Sequence, residues 1–309
     1  MIKADHQPLT GPDFRNIPSY NICTADLPSV SRMMPSGAAW VPLSAPIRNV
    51  AFSRFTTHFI HAWHRLGKTH RKTMMNADTR HDEKTFLRGF DDPAAVARYT
   101  EGPPRFVPGL DALHRMTGLL LAEHAPREAA VLVLGAGGGS ELKAMAEAQP
   151  GWRFVGVDPA GEMLRLAERV LGPLMERVTL VQGYIDDAPD GPFDAATCLL
   201  TLHFLDAAER TRTVGEIHRR LRPRSPFVAA HASFPQGLGE RDVWLDRYAA
   251  YPIAMGAEPA DVEKARAAVA GSLKSFSPEE DEAILRDAGF SDAALFYAAF
   301  TFRGWIGHA

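Results

Sequence analysis

The sequence predicts an α/β fold in which helices cover a mostly parallel sheet of seven strands. Between residues 131 and 231, five short apolar runs alternate with helical segments, which is the pattern of a parallel sheet with right-handed crossovers. Two more β segments, 293–296 and 299–306, end the chain with a short join between them. A join that short requires antiparallel pairing, so we expect a C-terminal antiparallel hairpin.

The first strand and the turn after it suggest a nucleotide site. Residues 131–134 form an apolar, largely β-branched run, Gly135-Ala136-Gly137-Gly138-Gly139 follows, and residues 141–148 have the composition of a helix. Because glycine has no Cβ, a ligand can lie against the backbone of Gly135 and Gly137. The N–H groups at the helix start are expected to hold an anion. This unit predicts a Rossmann-like fold.

The second strand, 154–158, ends in Asp158, and a carboxylate at that place suits a ribose diol. Asp158 is alternatively an N-cap for a helix that starts at Pro159. The cofactor stays open at this point, because Ser140 stands where a dinucleotide fingerprint has Gly or Ala. A dehydrogenase, a methyltransferase and a turn without a ligand are the three alternatives.

The remaining elements follow in order. After Asp158 we expect helices near 159–171, 207–221 and 278–288, and strands at 178–183, 193–200 and 226–231. Residues 233–275 interrupt this alternation and predict a two-helix insertion, broken near Pro252 and Pro259, above the ligand crevice. Residues 76–130 predict a helical cap. Within 86–99, Asp92 is placed to cap a helix with Pro93 in its first turn, and a break at 105–109 and a helix over 110–124 follow. The cap covers either the crevice or the sheet edge.

The N-terminal part has a different composition. Residues 1–75 hold nine Lys and Arg but only three Asp, and the first 50 residues contain seven prolines. We expect a disordered basic arm, a transit peptide, or a true translation start at Met74 or Met75. The sequence around the arm's histidines contains no Cys or carboxylate that would complete a zinc site, so no metal is expected. These histidines are His58, His61, His64 and His70.

Composition limits the class of protein. A net charge of −3 over 309 residues gives no sign of non-specific nucleic-acid binding by the whole molecule. The sequence contains no apolar run of about 18 residues, so we expect no transmembrane helix. Its two cysteines are too few for a disulfide scaffold, and Cys198 lies in a predicted core strand, which favours a reducing, cytoplasmic setting.

Four motifs in this order resemble the class I S-adenosylmethionine-dependent methyltransferase family over roughly residues 85–309. They are the first strand and turn at 131–139, the acidic motif at 157–163, the strand start at 193–196, and Ala288-Gly289-Phe290 before the final β segments. A dehydrogenase is not expected to end with that hairpin. The resemblance implies S-adenosylmethionine as cofactor, with residues 131–309 as the domain that binds it.

Within the class, the chain is similar to the carboxy-S-adenosylmethionine synthase family, which acts in tRNA wobble-uridine modification. The similar stretches are 90–91 with Val96, 105–109 and 201–205. Arg266 falls where that family grips the extra carboxylate of its product. Leu110 and Tyr184 depart from the family's pattern, so plain S-adenosylmethionine is the expected cofactor and a carboxylated one the alternative.

The resemblance also implies the cofactor-binding residues. Gly135, Ala136 and Gly137 would line the methionine part, Asp158 would accept from both ribose hydroxyls, and Pro159 and Ile185 would enclose the adenine. Tyr184 replaces a carboxylate that meets the adenine amino group, a task that Asp186 is also placed to perform. The complete set is Gly135, Ala136, Gly137, Asp158, Pro159, Met163, Tyr184, Ile185 and Leu200.

The acceptor side is less specific. His203, after the fourth strand, is either a catalytic residue that orients or deprotonates the acceptor or a structural histidine, and His231 is treated alike. Arg266 either binds an anionic acceptor or is a solvated helix charge. Trp244, Tyr248 and Tyr251 line an acceptor pocket or pack in the core.

The sequence therefore predicts a methyltransferase for a small molecule or a tRNA base, with no membrane partner and with a homodimer allowed. The alternatives are an enzyme that forms or uses the carboxylated cofactor, a non-catalytic protein that senses the cofactor, and a dehydrogenase.

Overall fold

The structure is a computed structural model that describes Phe90, Asp92, Val96, Tyr99 and residues 102–309. The basic arm with its histidines and alternative start, and most of the helix expected over 86–99, lie outside the described residues. Val96 N donates to Asp92 O at 2.9 Å, which is a helical bond that begins at the expected cap. The division of the chain into arm, cap and cofactor domain stays a prediction.

Seven strands form one sheet in the order β3-β2-β1-β4-β5-β7-β6. Strands β1 to β5 are parallel, and β7 is antiparallel to both β5 and β6. The expected fold class, with its C-terminal antiparallel hairpin, is confirmed. The strands are β1 (Ala130–Leu134), β2 (Arg153–Asp158), β3 (Val178–Gln182), β4 (Ala195–Leu199), β5 (Pro226–Ala232), β6 (Ser291–Ala299) and β7 (Phe302–His308).

Helices flank the sheet, and α6 and α7 form the expected insertion between β5 and β6. The α-helices of the region 102–309 are α1 (Pro103–Phe106), α2 (Leu110–Ala122), α3 (Ser140–Ala148), α4 (Gly161–Leu171), α5 (Ala207–Arg220), α6 (Glu240–Ala254), α7 (Pro259–Gly271) and α8 (Pro278–Asp287). Short 3₁₀ segments lie at Gly172–Arg177, Ile185–Asp187 and Leu202–Phe204.

Three boundaries differ from the sequence prediction. The break expected at 105–109 begins only after α1, whose prolines suit a first helical turn. Helix α6 continues past Pro252 to Ala254, because a proline so near the end removes few helical hydrogen bonds. Ala299 ends β6, and the two-residue turn 300–301 joins it to β7.

The two faces of the sheet bury separate apolar layers. Val131 and Val133 belong to the layer under α2 and α3, whereas Leu132 and Leu134 belong to the layer under α5 and α8. Both sets are nearly inaccessible, as strand alternation requires when helices cover both faces. Each such side chain stabilises the fold by about 1.5–3 kcal/mol.

Strand register gathers the site at one edge. Leu134 pairs with Val157, and Asp158 with Gln182, so the glycine turn, Asp158 and the segment after β3 lie at the carboxyl ends of adjacent strands. Strand β7 starts at the same edge, where Phe302 pairs with Ala232. In the region that the structure describes, no helix has the length and apolar character needed to cross a bilayer.

Candidate functional site

The turn between β1 and α3, residues 135–139, is called the glycine bend below. Its backbone is left-handed at Gly135, Gly138 and Gly139, with φ of 81°, 79° and 73°. Its N–H groups all have protein acceptors. Gly135 N and Ala136 N donate to Val157 O at 2.8 and 3.1 Å, and Gly138 N donates to Met163 O at 3.2 Å. Gly139 N donates to Ala136 O, and Gly137 N to Asp158 Oδ2.

The bonds within the bend do not test the anion prediction, which concerned the start of α3. The N–H groups there belong to residues 140–142 and are not among these donors. At the bend itself the N–H groups are engaged by carbonyl oxygens and by one carboxylate. A phosphate held by residues 135–139 would have to displace these acceptors, and the anion site at the helix start stays a prediction.

The glycines also admit close protein neighbours. A Cβ on Gly135 would lie 1.9 Å from Thr201 Oγ1, and one on Gly137 would lie 2.7 Å from Asp158 Oδ2. Any side chain at either position would displace these groups. The two glycines thus allow the segment after β4 and the end of β2 to approach the bend, a role that the sequence did not distinguish from ligand contact.

Asp158 faces the bend. Its Oδ2 accepts from Gly137 N at 3.0 Å, and its Oδ1 accepts from Ala160 N at 2.9 Å. The N-cap alternative is wrong, because α4 starts at Gly161 with Ala160 as its N-cap and without a side-chain cap. A carboxylate oxygen accepts more than one hydrogen bond, so these contacts orient Asp158 without saturating it by themselves.

Tyr99 covers the bend, and it was not among the site residues predicted from the sequence. A Cβ on Gly138 would lie 3.1 Å from the Tyr99 ring. Burial, together with the charge of Asp158, raises the pKa of the Tyr99 hydroxyl to about 12. Phe90 packs against Tyr99 and Phe204 with ring centroids 6.1 and 6.2 Å apart, which connects the cap to the segment after β4.

Pro159 and Tyr184 follow adjacent strands, β2 and β3, and Tyr184 is 41% exposed at the edge. Ile185, by contrast, is 2% exposed and belongs to the core layer. This places the Ile185 side chain below the edge, against the expectation that it encloses adenine. Both Asp186 oxygens accept from Arg212, at 3.0 and 2.9 Å, so the structure assigns Asp186 to an ion pair.

Met163 and Leu200 lie on opposite sides of the bend. Met163 is 3% exposed, and its Cβ would be 3.0 Å from a Cβ on Gly137. Leu200 is left-handed with φ of 55°, an uncommon conformation for a non-glycine residue that often marks a functional segment. Both residues therefore adjoin the bend or the strand end beside it.

His203 is buried in a structural arrangement. It is 6% exposed, and its Nδ1 accepts from Ala232 N at 3.0 Å. Burial, with His231 and Arg210 adding to it, lowers the pKa of His203 well below its usual value. A neutral imidazole that accepts a backbone hydrogen bond supports the structural interpretation rather than the catalytic one.

His231 belongs to a buried polar cluster with Arg210 and Asp281. His231 Nε2 lies 3.1 Å from Asp281 Oδ1, and Arg210 Nη1 donates to the same oxygen. The Arg210 and Asp281 residues are 0% and 2% exposed. Burial acts to raise the pKa of Asp281, but His231 and Arg210 hold it below its usual value. The cluster joins α5, α8 and β5 and is not at the bend.

Glu141, in the first turn of α3, is a second group that the sequence did not single out. It is 8% exposed, and its Oε1 has no hydrogen-bond partner in the region 102–309 or among the four earlier described residues. Burial raises the pKa of Glu141 to about 8, although the Thr197 hydroxyl beside it acts in the other direction. The side chain is therefore mainly protonated at neutral pH.

The Arg266 guanidinium is already engaged by a carboxylate of the neighbouring helix. It lies on α7, and its Nη2 donates to Asp246 Oδ1 of α6 at 2.8 Å. This pair supports the interpretation of Arg266 as a helix charge. Of the insertion's aromatic residues, Tyr248 is 7% exposed and packs in the core against Phe106 and Phe302.

Comparison with known proteins adds to this geometry. Residues 131–224, which include the bend, Asp158 and His203, match the family model described as a methyltransferase domain. This part of the chain is therefore similar to a methyltransferase domain. The match covers β1 to β4 and ends between α5 and β5, so the insertion and the hairpin lie outside it.

Known proteins that are similar to this chain agree with the family resemblance. The carboxy-S-adenosyl-L-methionine synthase of Aeromonas hydrophila is 24% identical over 219 residues, 70% of this chain and 88% of the relative. The solved structure of PigF with SAH has a TM-score of 0.52 at 21% identity, over 72% of this chain and 62% of PigF.

Human N-acetylserotonin methyltransferase, solved with SAM, has a TM-score of 0.50 at 13% identity, over 72% of this chain and 58% of the human one. The chain thus spans about three fifths of the length of these two solved proteins. At these identities the structural likeness shows a shared fold, and it agrees with the seven-stranded sheet described above.

Proposed function

We propose that the chain transfers a methyl group from S-adenosylmethionine to a small molecule or a tRNA base. The observation that carries this proposal is the pairing of Asp158 with a bend whose N–H groups are already engaged. A dinucleotide needs those N–H groups for its pyrophosphate, whereas S-adenosylmethionine has a ribose diol and no phosphate. The methyltransferase family match and the likeness to SAM- and SAH-bound structures support the same conclusion.

Different residues at the sheet edge bind different parts of S-adenosylmethionine. Asp158 is oriented to accept from the ribose hydroxyls, since two backbone bonds hold its carboxylate at the bend. Pro159 and Tyr184, on neighbouring strand ends, flank the adenine in place of the Pro159 and Ile185 pair. Gly135 to Gly137 and Leu200 line the methionine part, with Met163 and Tyr99 packed around the bend.

S-adenosylmethionine supplies an activated methyl group on a sulfonium. The chain's residues therefore mainly bind and orient, because an in-line approach at near-attack distance is the largest requirement. Tyr99 and Phe90 cover the bend and limit the access of water. We assign no proton transfer to His203, because its Nδ1 is an acceptor for Ala232 N–H in a buried setting.

Calorimetry with S-adenosylmethionine tests this proposal. We expect Asp158→Asn to weaken binding by roughly 10- to 100-fold, the equivalent of about 1.5–3 kcal/mol for a hydrogen bond to a charged group. Asp190→Asn is the matched control, since the Asp190 side chain is 88% exposed and pairs only with surface Arg219. No heat with the unaltered chain, or equal affinity in the Asp158 variant, would reject the proposal.

A carboxylated cofactor is the second candidate, favoured by the similarity of the chain to carboxy-S-adenosyl-L-methionine synthases. The Arg266–Asp246 pair counts against it, because the arginine expected to grip the extra carboxylate is already paired. Mass spectrometry of the co-purified cofactor distinguishes the two: an added carboxylate mass supports the second candidate, and plain S-adenosylmethionine supports the first.

The setting and assembly of the enzyme are also proposals. The buried free thiol of Cys198 supports a reducing, cytoplasmic location. We also propose a homodimer, which light scattering on the full chain tests.

A further inference from the structure

Helix α6 and the β6–β7 turn bring together an aromatic and cationic group of residues, which we call the Trp244 cluster. It consists of Trp244, Arg247, Tyr251, Phe300 and Arg303. The guanidinium carbons of Arg247 and Arg303 lie 4.5 and 5.1 Å from the centroid of the Trp244 ring. The rings of Tyr251 and Phe300 are 6.2 Å apart.

The two guanidinium groups form no close ion pair. Neither Arg247 nor Arg303 has a carboxylate within 4.0 Å among Phe90, Asp92, Val96, Tyr99 and residues 102–309, although the charge of Glu279 acts on Arg303 from farther away. Arg303 is partly buried, and its Nη1 donates to Phe302 O at 2.9 Å and to Phe300 O. A partly buried cation without a close counter-charge is costly, so an anion bound there would stabilise the arrangement.

The cluster lies on the same sheet edge as the glycine bend. Strand β7 begins opposite the carboxyl end of β5, where Phe302 pairs with Ala232. Strands β4 and β5 separate β1 from β7. Three steps of about 4.8 Å place β7 roughly 14 Å from the strand that carries the bend. A small molecule anchored at the cluster would have to span that distance, over β5 and β4, for its far end to reach the bend.

The β6–β7 turn has a strained backbone at Phe300, and the aromatic ring of that residue is exposed. Phe300 has φ of 51° and is 44% exposed, although a two-residue hairpin turn usually has glycine or asparagine in that conformation. Strain of this kind tends to be kept at ligand sites. Together with Trp244 and Tyr251, Phe300 offers flat apolar surface next to the two cations, which suits a planar ring.

We propose that Trp244, Arg247 and Arg303 form the subsite for the carboxylate of a small aromatic methyl acceptor. This inference rests on the proposed function for the acceptor's role, but the anion subsite stands on its own contacts. It replaces Arg266, whose guanidinium is paired with Asp246, as the anion-binding arginine of the insertion.

Local charge favours a small anion over RNA. Helices α6 and α7 together carry five acidic and four basic side chains, so they do not form a basic surface. Asp246 is adjacent to Arg247 in the sequence and is exposed. A polyanionic backbone would meet these carboxylates, whereas a single carboxylate needs only the two guanidinium groups.

Calorimetric titration of the full chain with benzoate, and with its uncharged analogue benzamide, tests the subsite. Arg247→Gln is the main variant, because Arg247 is exposed and its one described contact is the Trp244 ring. Arg303→Lys is the second, since it keeps a charge and a donor at the turn. Arg153→Gln is the matched control, an exposed arginine at the opposite end of the sheet.

We expect benzoate to bind about tenfold more weakly to Arg247→Gln, the loss of one charge-assisted hydrogen bond. Arg303→Lys should weaken it less, Arg153→Gln should not change it, and benzamide should bind at least tenfold more weakly than benzoate. Unchanged benzoate affinity in both cluster variants, equal binding of benzamide, or displacement of benzoate by a short single-stranded RNA would overturn the inference.

Titration of the same variants with S-adenosylmethionine separates the two proposals. We expect its affinity to be unchanged in Arg247→Gln. If the unaltered chain binds benzoate but no S-adenosylmethionine, the proposed function fails and the anion subsite remains. If it binds S-adenosylmethionine and not benzoate, the subsite fails and the proposed function remains.

Discussion

At the scale of single residues, burial decides which ionisable groups can do chemistry. His203 stands at the strand end where an acid–base residue is useful, yet its imidazole is neutral, buried and bonded to Ala232 N–H. Asp158 lies at the same sheet edge and keeps its carboxylate turned to the bend. Position along the chain was the same kind of signal for both residues, but of the two only the Asp158 carboxylate faces the bend.

Glu141 gives a prediction about pH. Its pKa is raised from 4.5 to about 8 by burial, so the folded state keeps a proton that the unfolded state releases. The stabilising contribution is complete below pH 4.5 and is lost as the pH rises to about 8, at no more than about 1.4 kcal/mol per pH unit. Glu141→Gln removes this dependence, because the amide does not ionise.

Urea unfolding between pH 5 and pH 8 checks this prediction. For the unaltered chain, the contribution of Glu141 to the free energy of unfolding should fall by about 1.4 kcal/mol or less for each pH unit. We expect Glu141→Gln to gain stability relative to the unaltered chain as the pH rises. Glu147→Gln, an exposed change on the same helix, should follow the unaltered chain. Parallel pH profiles for the unaltered chain and Glu141→Gln would show that Glu141 is ionised in the folded state.

At the scale of elements, the Arg210 side chain contacts three segments that are distant in the sequence: the segment after β4, the end of the insertion and helix α8. It pairs with Asp281 of α8, and its Nη2 donates to the carbonyl oxygens of Leu205 and Lys274. Its guanidinium also lies 4.2 Å from the centre of the Phe276 ring. The end of the insertion and the segment after β4 are thus held to α5 by one side chain.

Removal of that side chain should be strongly destabilising. Arg210→Met leaves Asp281 buried without its cation, and we expect a loss of about 3–5 kcal/mol in the free energy of unfolding. The double variant Arg210→Met/Asp281→Leu removes both charges and should lose less than the single variant. Denaturant unfolding measures the free energy of unfolding of both variants, provided that its slope against denaturant concentration is the same in each.

Arg212→Met is the control for this experiment. Arg212 pairs with Asp186 and Glu209 on the surface, with 41% of its side chain exposed, so its loss should cost less than about 1 kcal/mol. If Arg210→Met costs no more than Arg212→Met, the buried pair does not hold the elements together.

At the scale of the whole molecule, the fold was predictable because its signals are local. The strand at 131–134, the glycine bend and the short final hairpin each specify a structure within a few residues. Contacts between distant residues carry no such signal. Arg210 and Asp281 are 71 residues apart, and Arg212 lies 26 residues beyond Asp186, the residue it removes from the expected adenine site.

The candidate site divides in the same way. Asp158 and the glycines could be named from the sequence because they belong to one βαβ unit. Tyr99, Glu141 and Arg303 could not, because their importance depends on what covers or surrounds them after folding. A buried glutamate in a helix reads in sequence like any surface glutamate.

The occupied bend predicts how the whole molecule responds to nucleotides. A ligand that binds only the folded state, at 100 times its dissociation constant, adds about 2.7 kcal/mol to the free energy of unfolding. S-adenosylhomocysteine at that excess should therefore raise Tm. NADH and ADP should leave it unchanged, because their phosphates find the N–H groups of residues 135–139 already bonded.

Thermal unfolding with each ligand measures this response, and Asp158→Asn serves as the variant in which the gain from S-adenosylhomocysteine should fall. A rise in Tm with NADH comparable to that with S-adenosylhomocysteine would mean that the bend rearranges to free its N–H groups. In that event the hydrogen bonds to Val157 O and Met163 O would have to break, and the molecule would be a dinucleotide-binding protein instead of a methyltransferase.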